Sequence, residues 1–109
     1  MLMTGAKLIV LYPMPTDVAA FERAYLEEHV PLARAKIVGK TKLIFTRIVG
    51  APGGEPAFHR MAEIHFPSTE KMQESLSAPS TQEVAAHAVS ISSGGAPIFM
   101  VGEEKTISF

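Results

Sequence analysis

Apolar runs too short to be helices alternate with stretches of helical period along this chain. Lys7 to Tyr12 reads Lys-Leu-Ile-Val-Leu-Tyr and is closed by Pro13-Met14-Pro15, the pattern of a strand ending in a rigid turn. Thr16 is placed to cap a helix with Asp17 in its first turn, and Val18, Phe21, Tyr25 and His29 recur every three or four residues along one face. Pro31 ends or kinks this helix, Leu32 to Lys36 can add a turn, and Gly39 closes it. A second strand is predicted over Lys42 to Val49 and a third over Ala57 to Phe66, joined by the loop Gly50 to Pro56. Ser68 then caps a helix carrying Met72 and Leu76. Pro79 interrupts it, and Ser80 with Glu83 offers a capping box for a further piece through about Val89. After Ser92-Ser93-Gly94-Gly95, a fourth strand runs from Pro97 to Val101, and Gly102 to Phe109 is a tail that adds a strand or lies disordered.

The order β-α-β-β-α-β is that of the ferredoxin-like plait, an α+β fold with a four-stranded antiparallel sheet and both helices on one face. One feature of the pattern goes further. Leu8, Val10 and Tyr12 are matched by Ile9 and Leu11 at the other parity, and Leu43, Phe45 and Val49 by Ile44 and Ile48. A sheet covered on one face only should alternate with polar residues. Both faces are therefore expected to be covered, the second by another copy of the chain, giving a homodimer with a barrel-like, apolar interior.

Composition narrows the function classes. The 109 residues are 47% hydrophobic and 19% charged, with ten Lys and Arg against eleven Asp and Glu, so there is no basic field for nucleic acid. With no cysteine, thiolate chemistry and disulfides are excluded. The run Leu8 to Leu11 is too short for a signal segment and no apolar stretch is long enough to span a membrane, so a cytoplasmic chain is expected. The length suits one domain, with its core over about residues 7–102 and residues 103–109 as tail. The glycine-rich loops do not join a strand to a helix, so neither forms a phosphate cradle.

Several fragments resemble one family. Lys7-Leu8-Ile9-Val10-Leu11-Tyr12, then Tyr25-Leu26-Glu27-Glu28-His29-Val30-Pro31-Leu32, then Glu63 to Met72, Leu76 to Pro79 and Gly94-Gly95 follow the order and spacing of the EthD family, over about residues 7–102. That resemblance implies a dimeric α+β barrel of the ferredoxin-like type, in agreement with the pattern. It also departs in places: Val38-Gly39-Lys40 stands where members carry Pro-Gly and an apolar residue, His59 where an aromatic is common, and His87 and Ile91 where Asp and Phe are usual. These departures bear on any site that relies on an acid at 87 or an aromatic at 59.

Candidate chemistry follows from strand parity. His59, Met61, Glu63 and His65 share one face of the third strand, and Phe58, Arg60, Ala62, Ile64 and Phe66 the other. The apolar set fits the helices, which would turn His59, Glu63 and His65 towards the open face. Glu63 and His65, ~6.6 Å apart along the strand, could act as an acid/base pair, or could simply satisfy structural hydrogen bonds. A metal on His59, Glu63 and His65 would require bent backbone. His29, at a helix end, is either a C-terminal cap or, as the resemblance implies, the leading site residue, with Tyr12 on the neighbouring strand. Phe21, Tyr25, His59 and Met61 are the expected pocket walls, although for Tyr25 core packing with the hydroxyl at the rim is the stronger reading. His87, on an alanine-rich stretch, is expected at the surface or in helix packing.

The resemblance implies a protein that binds a small apolar or aromatic molecule, with an oxidoreductase of catabolic metabolism as the leading function. Non-catalytic binding as an accessory to an oxygenase system, and a cofactor-free isomerase or monooxygenase, are the alternatives. No nicotinamide or flavin fingerprint is present and no cofactor is predicted; haem, through His29 or His65, would rest on superfamily analogy alone.

Overall fold

A computed structural model describes residues 2–109, the side chains from Gly5 onward. Four antiparallel strands, β1 (Leu2–Pro13), β2 (Lys42–Arg47), β3 (Phe58–Phe66) and β4 (Ile98–Ile107), lie in the order β2-β3-β1-β4. Between β1 and β2 run α1 (Val18–Ala24), a π-helical turn (Tyr25–His29) and α2 (Val30–Lys36). Between β3 and β4 run α3 (Thr69–Ser77) and α4 (Pro79–Ile91). The helices pack on one sheet face, so the fold is the ferredoxin-like α+β plait expected from the pattern. Val10, Tyr12, Ala62, Ile64 and Phe66 of the sheet meet Phe21, Tyr25, Ala33, Met72, Val84 and Ala88 of the helices in one core.

The tail is a strand. β4 pairs with β1 from Leu11↔Ile98 to Leu2↔Ile107, so Gly102 to Ile107 extends the ladder beyond the expected Val101. Helix starts differ in detail. Asp17, not Thr16, is the N-cap of α1: its carboxylate accepts the N–H of Ala20 at 3.0 Å. Ser68 caps α3 by accepting the N–H of Lys71, as expected. The Ser80–Glu83 capping box does not form, because Pro79 already occupies the first helical position and starts α4 two residues too early for it. Gly94 is the residue that lets the 92–95 loop close on the Pro13-Met14-Pro15 turn, since a Cβ there would lie 1.9 Å from the Met14 carbonyl oxygen.

Pro31 neither ends the helix nor leaves it regular. It has no N–H to give and its ring crowds the carbonyl four residues back. The chain accommodates it just after a wide turn, in which the N–H of Val30 bonds the carbonyl of Tyr25. Helical direction is preserved through to Lys36, and Tyr25 and His29 remain stacked on the inward face with ring centroids 5.6 Å apart.

Candidate functional site

The helix-covered face encloses a cavity of about 340 Å³ between the sheet and α2 and α4. Its walls are aliphatic and aromatic, including Val10, Ile64, Val84 and Ala88, with Phe99 and Val101 of β4 at the exposed edge. No Asp, Glu, Lys or Arg side chain lines it; its polar groups come from Tyr12, His29, Thr81 and Gln82. Thr81 is already engaged, bonding Ser75 Oγ at 3.0 Å and accepting the N–H of Val38. Gln82 is exposed and donates to the Leu76 carbonyl at 3.3 Å, which leaves Tyr12 and His29 as the buried titratable pair at the cavity wall.

Both nitrogens of His29 are in use. Nε2 lies 3.2 Å from the Tyr12 hydroxyl, and Nδ1 lies 2.9 Å from Nδ1 of His87 on α4. The His29 and His87 rings are 8° from parallel with centroids 5.1 Å apart. Beyond them, His87 Nε2 is 3.7 Å from a carboxylate oxygen of Glu28 at the surface. Burial, and then the nearby His87, pulls the His29 pKa down to about 4, so this imidazole is neutral at pH 7. Burial also pushes the Tyr12 phenol far above its ordinary range, so the hydroxyl keeps its proton in the resting protein. A neutral phenol bonded to a neutral imidazole in an apolar cavity can relay a proton between a bound molecule and the ring.

The other expected site residues lie elsewhere. Glu63 and His65 point to the open face as the parity required, but do not pair with each other. Glu63 accepts from Lys7 Nζ at 2.7 Å, Lys7 also reaches Glu104 at 2.9 Å, and His65 Nδ1 is 3.6 Å from Glu104. That is an ion network on an exposed sheet face, away from the cavity. Met61 shares this face and does not line the cavity.

His59 faces the helices, not the open side. The pairing of β1 with β3 shifts between Tyr12↔Arg60 and Pro13↔Phe58, a bulge that leaves His59 without a partner on β1 and reverses its parity. It is buried edge-on against Phe21, and its Nε2 lies 3.2 Å from Glu22, whose carboxylate also takes two bonds from Arg60 at 2.7 and 3.0 Å. A metal on His59, Glu63 and His65 is therefore ruled out by opposite facing. Among the described residues no three His, Asp or Glu side chains are gathered to hold an ion.

Phe21 and Tyr25 do not line the cavity either. They form a stacked column with His29 behind it, with Tyr12 edge-on to both. The Arg60 guanidinium sits 5.1 Å over the Tyr25 ring, and the Tyr25 hydroxyl is buried without a partner among the described residues.

His87, expected at the surface or in helix packing, instead meets His29 at the cavity wall. The signal was available: Val84, Ala88 and Ile91 form an apolar stripe on α4, and His87 sits at its margin, three residues from Val84 and four from Ile91. What α4 would meet could not be read from the stripe.

Comparison with known proteins agrees with this architecture. A curated relative from Rhodococcus erythropolis, described as an uncharacterized 11.0 kDa protein in the thcB-thcC intergenic region, is 26% identical over 101 residues, 93% of this chain and 97% of its own length. The crystal structure of an EthD family protein from Bacillus halodurans is 36% identical, with a TM-score of 0.84 over 92% of this chain and 98% of that one. SnoaB, a cofactor-independent oxygenase from Streptomyces nogalater, shares the fold alone: 8% identity, with a TM-score of 0.60 over 97% and 95% of the two chains. The EthD domain model matches residues 14–91, which include the whole helical segment that carries His29 and the α4 residues that meet it. The chain belongs to the EthD family.

Proposed function

We propose that this protein binds a small, neutral, largely apolar organic molecule between the sheet and helices and removes a proton from it through Tyr12 and His29. The observation that carries the reading is the Tyr12–His29 hydrogen bond at the wall of a cavity with no charged lining. The uncharged walls select against carboxylates and phosphates, because an ion there would be desolvated without a partner. At about 340 Å³ the space lies at the small end of ligand pockets. A ligand hydroxyl or acidic C–H at the Tyr12 oxygen would lose its proton to that oxygen as Tyr12 passes its own to His29 Nε2. The resulting anion can be reprotonated at another carbon, an isomerisation, or react with dioxygen, the cofactor-free oxygenation named for the fold relative SnoaB. Both outcomes begin with the same proton transfer and use no cofactor. A haem iron ligand needs a free imidazole nitrogen, and neither nitrogen of His29 is free.

The protein acts as a homodimer in this reading. Ile9, Leu11, Ile44, Met61, Ile98 and Met100 share the open face by strand register, and the buried Nε2 of His65 on that face has no partner among the described residues. An apolar sheet face of this kind is stable against a second copy of itself.

The test uses 2-tetralone, a neutral bicyclic ketone with acidic C–H bonds, in D₂O followed by NMR. Wild-type protein should accelerate deuterium uptake, Tyr12→Phe should reduce it at least tenfold while still binding, and Ala88→Phe, which fills the cavity, should abolish binding. Binding without exchange in the wild type would make the protein a carrier rather than an enzyme.

A further inference from the structure

The contact between His29 and His87 sets a condition on both rings. Two Nδ1 atoms at 2.9 Å are stable only if one carries hydrogen and the other presents a lone pair. Two self-consistent arrangements exist. In the first, the Tyr12 hydroxyl donates to His29 Nε2, His29 Nδ1–H donates to His87 Nδ1, and His87 Nε2–H faces the Glu28 carboxylate. In the second every bond is reversed, and a bare His87 Nε2 faces that carboxylate across 3.7 Å, lone pair against negative charge. Glu28 favours the first arrangement.

We propose that His87 is the positioning residue of this site: by accepting the Nδ1–H of His29 it turns the His29 Nε2 lone pair towards the Tyr12 hydroxyl. The assignment rests on the proton-transfer reading above for its purpose, but not for its geometry. It also answers a difficulty in that reading. His29 is buried, and a full positive charge there would be costly. When Tyr12 passes a proton to Nε2, the Nδ1 proton can move to His87, which is 23% exposed and beside Glu28. One proton enters the chain at Tyr12 and the charge comes to rest at the surface end. The groups facing His87 are His29 from the π turn and Glu28 from the same turn, so both neighbours work in one direction.

The tautomer can be read directly by ring ¹⁵N NMR of histidine-labelled protein at pH 7, with no ligand. His29 is expected to carry its hydrogen on Nδ1. His87→Phe keeps a stacking ring but offers no acceptor, and should move His29 towards the Nε2–H form. His87→Asp, whose carboxylate only accepts, should restore Nδ1–H. In the exchange assay His87→Phe should lose at least tenfold and His87→Asp should recover most of it. A wild-type His29 carrying hydrogen on Nε2, or a tautomer that His87→Phe does not move, would overturn the assignment. Absence of exchange in the wild type with the expected tautomer pattern would instead sink the proton-transfer reading and leave the positioning role standing.

Discussion

The two faces of this sheet are built from the same strands and carry similar apolar residues, yet they hold opposite kinds of polar chemistry. At the cavity on the helix face the polar groups are neutral and joined in sequence, Tyr12 to His29 to His87, with the Glu22–Arg60 ion pair set behind it. On the open face they are charged and paired, Lys7 with Glu63 and Glu104. The difference follows from water. The helix face is enclosed by its own chain, where an ion without a partner would be expelled and an imidazole stays neutral. The open face is in contact with solvent in the single chain, so ions survive there and are neutralised by one another.

That contrast predicts unequal sensitivity to substitution. Phe21→Ala should have the largest effect, because it removes a ring that Tyr12, Tyr25 and His59 all pack against, at a cost of about 3–5 kcal/mol in urea unfolding. Acidification gives the next. A folded His29 pKa of about 4 against an ordinary 6.5 means the unfolded chain binds the proton more readily. Stability from this group is complete above pH 6.5 and is lost as pH falls towards 4, by up to about 3 kcal/mol, and His29→Gln should flatten that slope.

Glu22→Gln tests the ion network behind the cavity. It should cost about 2 kcal/mol at pH 7, since Arg60 and the buried His59 lose the negative charge and one of the two accepting oxygens they share. The bond from Arg60 holds the Glu22 carboxyl below its usual range, so this stabilisation is present above about pH 4.3 and disappears as pH drops through the folded value.

Ile9→Lys sharpens the comparison on the other face: sedimentation should show dissociation of the proposed dimer, with under about 1 kcal/mol lost from the isolated fold. A large loss of fold stability would show that the open face is part of the core. Glu74→Ala breaks an exposed pair with Lys71 and should change stability by less than about 0.5 kcal/mol.

Where sequence and structure part, the causes are specific. Strand parity placed Glu63 and His65 correctly because β3 is regular from Arg60 onward, and failed at His59 because His59 is itself the extra residue of the bulge between Tyr12↔Arg60 and Pro13↔Phe58, where the alternation breaks. The stripe Phe21-Tyr25-His29 was legible from its spacing, but its role as backing for the cavity was not, since periodicity names an inward face and not the empty space beside it. The tail joined β4 because β1 begins five residues earlier than its apolar run, so the added strand had a partner that hydrophobicity did not reveal.

Local rules thus determined the element order, the plait and the two apolar sheet faces, because each depends on period, capping and turn chemistry, while the Tyr12 and His29 pair came from the EthD resemblance. The tertiary structure alone decided that Glu63 and His65 stand apart from Tyr12 and His29, on the other side of the same sheet. It alone brought His87 to within 2.9 Å of His29 across 58 residues of chain. A hydrogen bond between two rings that far apart depends on how α4 docks against the π turn, and no pattern within either segment encodes that distance.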